Sequence, residues 1–297
     1  MKMKDNEYPN YFQASDAASK KAQKTYLRFV KFDLSAMIIG SALAIYNYQS
    51  HNSHMIVYII SGILLLVATV FTLVLKSVKY EDTWYLGRAF AESCKTLTWR
   101  YMMCSELFEH TLSIQDANKA FNKRAKEIAD KFESLNNEMN ARLLNKPVIS
   151  DKMKRIRGLS TNERKDYYIE FRIEDQKKWY ADKATENKNN YELWFWIVIT
   201  AQILAILCAG FLVINPDSNW NLTGLLTTLS ASAFSWLQLK NFQELKQAYT
   251  TTTGELNHIL EDSASITDDV SLAKFVLDSE NAISREHTIW LAQKRKL

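Results

Sequence analysis

The densest group of side chains that could do chemistry lies between residues 172 and 187. Charged and aromatic residues recur there every three or four positions, which places them on neighbouring turns of one helix. They are Arg172, Asp175, Gln176, Trp179, Tyr180, Lys183 and Asn187. A solvated helix would not need the two aromatic residues, so we predict that Arg172, Asp175 and Lys183 form a polar network that anchors this helix. The alternative is ion pairing at the surface, which contributes little to stability.

A second group is cationic and consists of Lys152, Lys154, Arg155 and Arg157. Several cations close together attract multivalent anions, so these residues are candidates for binding an anionic lipid headgroup or a phosphate-bearing signal. Turn-forming residues interrupt the same stretch. The alternative is therefore a flexible, solvated linker, which we place at residues 146–162.

A third group is made of hydroxyls on the apolar segment 222–239. At about 100° per residue, the bulky apolar side chains of this segment gather on one side of a helix and leave an uncharged polar face on the other. In lipid, such a face must turn toward other helices or toward water. Thr223, Thr227 and Ser230 are therefore candidates to line a pore between associated chains. The alternative is hydrogen bonding between helices and back to the helix's own carbonyls.

Patterns typical of enzymes are missing from the sequence. It contains no Gly-rich phosphate loop, no His-Glu-x-x-His, no paired Cys-x-x-Cys and no nucleophile elbow. We therefore expect no catalytic residue, no metal site and no cofactor. The net charge of +4 is too small to indicate nucleic-acid binding, although it suits an anionic membrane leaflet.

Four apolar segments must position these groups, and none of them contains Lys or Arg. They are Leu34–Tyr48, Met55–Leu75, Tyr191–Ile214 and Leu222–Leu239. A helix needs roughly 20 apolar residues to cross a hydrocarbon core of about 30 Å. The second and third segments are long enough, whereas the first and fourth are short. We predict two transmembrane hairpins with four spans.

The distribution of charge predicts the orientation of these spans. All 37 Lys and Arg residues lie outside the four segments, and the two connections at residues 49–54 and 215–221 hold none. The positive-inside rule then places both termini and the long middle region in the cytoplasm. With only three prolines and seven glycines, the sequence favours long helices. We predict an all-α, multi-pass membrane protein with long cytoplasmic helices.

Two further stretches carry apolar residues at helical spacing, which indicates packing against partner helices within the chain or between chains. The first comprises Phe121, Ala125, Ile128, Phe132, Leu135, Met139 and Leu143. The second comprises Phe242, Leu245, Tyr249, Thr252, Leu256 and Ile259. Because the second follows the fourth apolar segment directly, we expect the last membrane helix to continue into the cytosol as one rod.

Both halves of the chain resemble the SLATT family, a two-transmembrane-helix effector domain named for its association with second-messenger nucleotidyltransferases and SLOG sensors. The first half resembles one subfamily through Ser15-Asp16-x-x-Ser19 and through a block at residues 84–101 that includes Arg88, Glu92, Lys95, Trp99 and Arg100. The second half resembles another subfamily through the run at residues 168–187 and through Glu286, His287 and Trp290. We therefore predict one SLATT-like unit at residues 1–145 and a second at residues 163–297.

This resemblance implies a non-enzymatic effector of a prokaryotic conflict or antiphage system, acting by abortive infection. Such an effector would sit in the inner membrane and permeabilise it when triggered by a second-messenger nucleotide or a sensor protein. Its other partners would be the bilayer and further copies of itself. The alternative is a membrane scaffold that recruits a cytosolic partner through its cytoplasmic helices and conducts nothing.

Overall fold

The computed structural model describes residues 1–46, 54–218 and 220–294, together with their side chains except those of residues 46, 54, 76 and 285–294. Within these ranges the regular structure is helical and contains no strand. The predicted all-α class is confirmed. It follows from the scarcity of proline and glycine, since few residues interrupt a helix.

The helices follow one another with short connections. In chain order they are α1 (Asn10–Tyr46), α2 (His54–Val78), α3 (Tyr80–Met102), α4 (Ile114–Lys131), α5 (Ala141–Leu144), α6 (Asp151–Arg157), α7 (Thr161–Tyr168), α8 (Asp175–Ile214), α9 (Thr223–Lys240), α10 (Phe242–Asp262) and α11 (Asp269–Lys294). A π-helical turn, Ile169–Glu174, joins α7 to α8. Short 3-10 turns lie at Asp5–Glu7, Glu133–Leu135 and Ser263–Ser265.

These helices form two compact units, and each unit combines segments from both halves of the sequence. Unit 1 comprises Met1–Gln23, Glu81–Ala184 and Gln247–Leu297. Unit 2 comprises Lys24–Tyr80 and Thr185–Lys246. The continuous helices α1 and α8 each contribute to both units.

An aromatic cluster around α3 forms part of the core of unit 1. The ring centroid of Tyr101 lies 5.1 Å from that of Phe121 on α4 and 5.7 Å from that of Phe108. Phe90 stacks on Phe132 at 5.0 Å. The predicted stripe that starts at Phe121 therefore packs within the chain. It does not follow one long helix, because α4 ends at Lys131 and the later members of the stripe lie on a 3-10 turn, in a loop and on the short helix α5.

Helices α1 and α3 approach closely at Gly87. A Cβ atom added there would lie 3.0 Å from the carbonyl oxygen of Ser15 and 3.0 Å from the Cβ atom of Ser19. The Ser19 hydroxyl donates a hydrogen bond of 2.8 Å to the carbonyl of Trp84. The small residues of the first SLATT-like motif thus permit direct backbone contact between the two helices.

Unit 2 contains most of the apolar sequence. By length and composition, two described helices are able to cross a membrane: Met55–Leu75 and the continuous helix Thr161–Ile214. Their most apolar windows are only 11% and 17% buried, whereas the core helix of a soluble protein is mostly buried. The apolar side chains therefore face outward. The four predicted spans are not confirmed, because two of the described helices are long and apolar enough to cross a membrane.

Aromatic and hydroxyl contacts join the helices of unit 2. Phe29 on α1 stacks on Phe71 of α2 with centroids 5.3 Å apart. The Ser41 hydroxyl on α1 donates to the Thr228 hydroxyl on α9 at 2.9 Å. Trp194 on α8 lies 6.1 Å from Trp236 on α9, measured between ring centroids. Both hairpins thus contribute to one packed set of helices.

The last apolar helix does not continue as a rod, and that prediction is wrong. Helix α9 ends at Lys240, Asn241 adopts a left-handed conformation with φ of 48°, and α10 begins at Phe242. The Asn241 amide donates to the carbonyls of Leu237 and Gln238, which closes the end of α9. Asparagine tolerates the left-handed region better than other non-glycine residues, so the chain can change direction there.

Candidate functional site

The segment that leads into the apolar part of α8 is built around a π-helical turn. Arg172 lies in this turn and Tyr168 immediately precedes it. A π turn is rare within a helix and is frequently found at functional sites. Here α7, the π turn and α8 form one uninterrupted helix that ends at Ile214.

A buried carboxylate on α11 collects four hydrogen bonds beside this turn, and we call the group formed by Thr96, Tyr168, Arg172 and Glu280 the Glu280 centre. Arg172 donates from Nε to Oε1 at 2.8 Å and from Nη2 to Oε2 at 2.7 Å. The Tyr168 hydroxyl donates to Oε1 at 3.0 Å, and the Thr96 hydroxyl donates to Oε2 at 2.8 Å. Arg172 and Glu280 have side-chain exposures of 1% and 0%.

The electrostatics of the Glu280 centre shift the pKa values of Arg172 and Tyr168. Burial alone would lower the pKa of Arg172, but the adjacent Glu280 carboxylate outweighs that effect and raises it. For Tyr168, burial and the Glu280 charge both raise the pKa well above its ordinary value. The guanidinium therefore stays charged and the phenol stays protonated, so both remain hydrogen-bond donors.

This arrangement suits a structural role better than proton transfer. Both oxygens of Glu280 accept two hydrogen bonds each, which leaves little capacity to accept a proton from a substrate. The guanidinium carbon of Arg172 also lies 5.9 Å from the ring centroid of Trp99. The Glu280 centre thus connects α3, the π turn and α11 at the point where α8 begins.

The predicted polar network of Arg172, Asp175 and Lys183 is not formed. Arg172 pairs with Glu280, and Asp175 pairs with Lys2 in a contact that is open to solvent. The physical reason is burial, because a buried guanidinium needs an equally buried carboxylate. Lys183 makes other contacts, Gln176 is partly buried, and Asn187 is buried farther along α8.

The two aromatic residues in this run pack against α10. The ring of Tyr180 is fully buried and lies 5.5 Å from the ring of Tyr249, measured between centroids. Trp179 remains partly exposed, with its centroid 5.4 Å from that of Tyr249. Aromatic packing within unit 1 therefore explains why a helix with so many charges also carries Trp and Tyr.

Residues of the first motif lie mainly on α3. Trp99 is fully buried, whereas Arg88, Glu92 and Lys95 are partly buried. Arg100 donates to Asn281 at 2.7 Å, which adds a second link between α3 and α11. Asp16 forms an ion pair of 2.7 Å with Lys20 on the surface of α1. In the second motif, Glu286, His287 and Trp290 lie on α11, but their side chains are outside the described part of the structure.

The four predicted anion-binding residues lie on α6 and do not converge. Lys152 pairs with Glu7, Lys154 contacts Asp151, and Arg155 is exposed. Arg157 is buried and donates to the carbonyls of Tyr101, Phe108 and Glu109 at 2.7–3.1 Å. This stretch is thus a packed helix in unit 1 rather than a flexible linker, and anion binding by its exposed cations stays a prediction.

A third buried cation, Arg164, and its partner Asp269 were not among the residues predicted from the sequence. Arg164 donates to Asp269 on α11 and, at 3.2 Å, to the carbonyl of Met103. With Arg157 it holds the irregular turn after α3, where Cys104 and Leu107 have positive φ angles of 55° and 71°. A signal was present for Glu280, since it shares one helical face with the buried residues Val276 and Ile283.

The hydroxyls on α9 are satisfied largely within the chain. Thr227 donates back to the carbonyls of Thr223 and Gly224 at 2.9 and 3.1 Å. Ser230 is buried and donates to the carbonyl of Val198 on α8 at 3.4 Å. The Thr223 hydroxyl is buried and has no hydrogen-bond partner among the described residues. Pore lining by these three residues remains a prediction about associated chains.

Comparison with protein families divides the sequence within the last turn of α7. Residues 9–165 match SMODS and SLOG-associating 2TM effector domain 3, and residues 168–290 match SMODS and SLOG-associating 2TM effector domain 1. SLATT domains are two-transmembrane effector domains linked to conflict systems. Neither the curated proteins nor the solved structures include a match. Within the Glu280 centre, Thr96 comes from the first matched region and its other members come from the second. The first match covers more than half of the sequence, so the chain belongs to the SLATT family and carries two different SLATT domains in tandem.

Proposed function

We propose that this protein is a non-enzymatic, oligomeric effector of a prokaryotic conflict system that permeabilises the inner membrane when triggered. The observation that carries the proposal is the outward-facing apolar surface of the two long candidate spans in unit 2. Such a surface is costly in water and is compatible with lipid or with other copies of the same unit. The effector description of both SLATT domains supports the same function.

The polar face of α9 supplies the permeation path in this proposal. Thr223, Thr227 and Ser230 lie within about 60° of one another around the helix axis, at 100° per residue. Association of several chains would bring these faces together, and a change in helix rotation would exchange their internal hydrogen bonds for water. A lining of hydroxyls without a charged ring predicts weak discrimination between cations and anions.

Unit 1 receives the trigger in this proposal. The Glu280 centre fixes the start of α8 through one carboxylate on α11, so a ligand or protein that displaces α11 would release Arg172 and the π turn together. We propose a second-messenger nucleotide or a sensor protein as that trigger. An equilibrium between held and released states requires only a few kcal/mol of differential binding.

Dye release from liposomes tests this function directly. The purified full chain would be reconstituted in vesicles of phosphatidylethanolamine and phosphatidylglycerol, and release followed on addition of candidate cyclic nucleotides. The combined variant Thr223→Val, Thr227→Val and Ser230→Ala should abolish release while preserving insertion and oligomer size. Ser235→Ala is the matched control, because this hydroxyl lies on α9 about 100° away from the proposed lining.

Two outcomes would count against the proposal. Release by the triple variant at the parental rate would exclude α9 as the lining. Absence of release by the parent, with the purified products of its genomic neighbours added to the vesicles, would favour the scaffold. That second function has its own support, since Thr227 and Ser230 already use their hydroxyls within a single chain.

A further inference from the structure

Unit 2 contains a groove between α1 and α2 with a basic end and an apolar body. Its volume is about 810 Å³, which falls within the range of cavities that bind small molecules. Lys24, Arg28 and Lys31 line one end. Ala36 and Ile39 of α1, together with Val67 of α2, line the other.

The three cations share one face of α1. They are spaced by four and three residues, which places them on consecutive turns over about 10 Å of helix. The ion pairs found in the described part of the chain involve none of the three. Lys31 lies 5.3 Å from the ring centroid of Trp236, a contact that leaves its positive charge uncompensated by a carboxylate. The basic end therefore lacks an anion.

The apolar body of the groove requires an apolar occupant. Ile39 and Val67 are exposed although they line a concave surface, and Ala36 supplies only a small side chain at its floor. Phe71 of α2 borders the groove between this body and the cations. An occupant that satisfies both ends must carry a negative charge at one end and a long apolar chain at the other.

The length of the groove matches one lipid leaflet. From Lys24 to Ile39 the helix rises by about 22 Å at 1.5 Å per residue. A bilayer with its headgroup regions is about 40–45 Å thick, so one leaflet spans roughly 20–22 Å. The cations then lie at headgroup depth and the apolar body at acyl-chain depth.

We propose that this groove binds one anionic glycerophospholipid, with its phosphate among Lys24, Arg28 and Lys31 and one acyl chain along Ala36, Ile39 and Val67. Charge complementarity selects an anionic lipid, because the ammonium of a zwitterionic headgroup would meet the same three cations. This site is separate from the α9 hydroxyls and from α6. It adds a ligand to the effector without depending on permeabilisation.

Native mass spectrometry of the full chain in detergent tests the site. Phosphatidylglycerol and phosphatidylcholine with identical acyl chains would be titrated separately. We expect a stoichiometric phosphatidylglycerol adduct on the wild-type protein that is at least about tenfold tighter than the phosphatidylcholine adduct. Equal affinity for the two lipids would overturn the proposal even before any variant is made.

Charge-removal variants locate the headgroup. Combining Lys24→Gln, Arg28→Gln and Lys31→Gln should weaken phosphatidylglycerol binding by roughly 10- to 100-fold. The matched control removes three exposed lysines from α4 through Lys119→Gln, Lys123→Gln and Lys126→Gln, and should leave the affinity within about twofold. Equal losses in the two variants would mean that net charge alone attracts the lipid, and the groove would not be its site.

A final variant separates a lipid from a free phosphate and from a second copy of the chain. Val67→Trp fills the acyl part of the groove and leaves all three cations in place, so it should abolish the lipid adduct. Inorganic phosphate at millimolar concentration should not displace the lipid from the wild type. Retained binding in Val67→Trp, displacement by phosphate, or a dimer that excludes the lipid would each overturn the proposal. Helical content by circular dichroism and elution volume verify that every variant is folded.

Discussion

At the scale of single residues, the side chain with the largest consequence is Glu280. A carboxylate withdrawn from water loses its hydration, and hydrogen-bond donors of the protein must replace it. Thr96, Tyr168 and Arg172 provide those donors from two helices and a π turn. Removing one partner from this group should therefore lower the free energy of unfolding by more than the intact group contributes to it.

Glu280→Gln should strongly destabilise unit 1, because it leaves the buried Arg172 guanidinium without a counter-charge. The expected loss is about 3–5 kcal/mol in the free energy of unfolding. Thermal unfolding in detergent, followed by circular dichroism, measures it. Asp175→Asn is the control: its ion pair with Lys2 is exposed, so the expected change is about 0–1 kcal/mol. Similar melting temperatures for the two variants would contradict the assignment.

Acid should weaken unit 1 through Asp269. Burial alone would raise the pKa of this carboxyl, but hydrogen bonds from Thr161 and Arg164 hold it below the ordinary value of 3.8. A carboxylate whose pKa is lower in the folded state stabilises the protein at pH values above its unfolded pKa, and loses that contribution as pH falls through the folded pKa. Wild-type melting temperature should therefore drop more steeply below about pH 4 than that of Asp269→Asn. Parallel pH profiles for the two proteins would contradict this linkage.

Sequence reasoning identified Arg172 as important but assigned it the wrong partner. Its carboxylate lies 108 positions away, and a single sequence carries no measure of such a distance. The helical rule favoured Asp175 because it is three residues away. Burial excludes Asp175 as the partner of Arg172, since Arg172 points inward and Asp175 faces solvent.

At the scale of elements, close packing and chain direction depend on a few backbone positions. Gly87 allows α3 to contact the backbone of α1, and Asn241 ends α9 in a left-handed conformation. The segment Met55–Leu75 was predicted from its unbroken apolar run, and it lies within α2, which extends from His54 to Val78. The sequence did not predict the break at Asn241, since the apolar spacing on either side continues in phase. Periodicity reports which face is buried and is insensitive to a single left-handed residue.

Gly87→Ala should destabilise unit 1, although alanine is the better helix former. The added methyl group would lie 3.0 Å from the Ser15 carbonyl oxygen, so α1 and α3 must separate, at an expected cost of about 1–3 kcal/mol. Gly254→Ala is the matched control, because nothing lies within 4 Å of the added atom. That control should stabilise α10 by about 0.5–1 kcal/mol. Opposite signs in thermal unfolding are expected, and equal signs would refute the close contact.

At the scale of the whole molecule, orientation in the membrane is the least constrained property. The structure has two helices that meet the criterion for a span, and the family describes two-transmembrane domains. The distribution of Lys and Arg predicts both termini in the cytoplasm. Assembly and conduction depend on contacts between chains, and neither leaves a pattern that one sequence can distinguish from packing within the chain.

Cysteine labelling of intact cells should reveal four spans with both short connections outside. An impermeant maleimide should modify Ser218→Cys and Ser53→Cys, the latter at a position outside the described residues, and should spare Ser134→Cys. Cys208→Ala provides a suitable background. Cys94 and Cys104 are buried, and burial raises the pKa of both thiols, so they contribute little signal. Labelling at position 134 would reverse the predicted orientation.

The π turn at Ile169–Glu174 allows α8 to rotate and shift along its axis if the turn changes its hydrogen-bond pattern. A π turn holds one residue more than the α-helical path requires, because its hydrogen bonds span five residues instead of four. If that residue is absorbed as the turn converts to α-helix, everything beyond it rotates by about 100° and advances by about 1.5 Å. The rotation would carry through to Ile214, since no break interrupts α8. Such a conversion would move Arg172, which lies in the turn, relative to Glu280, and it would turn a different side of the apolar helix toward its neighbours.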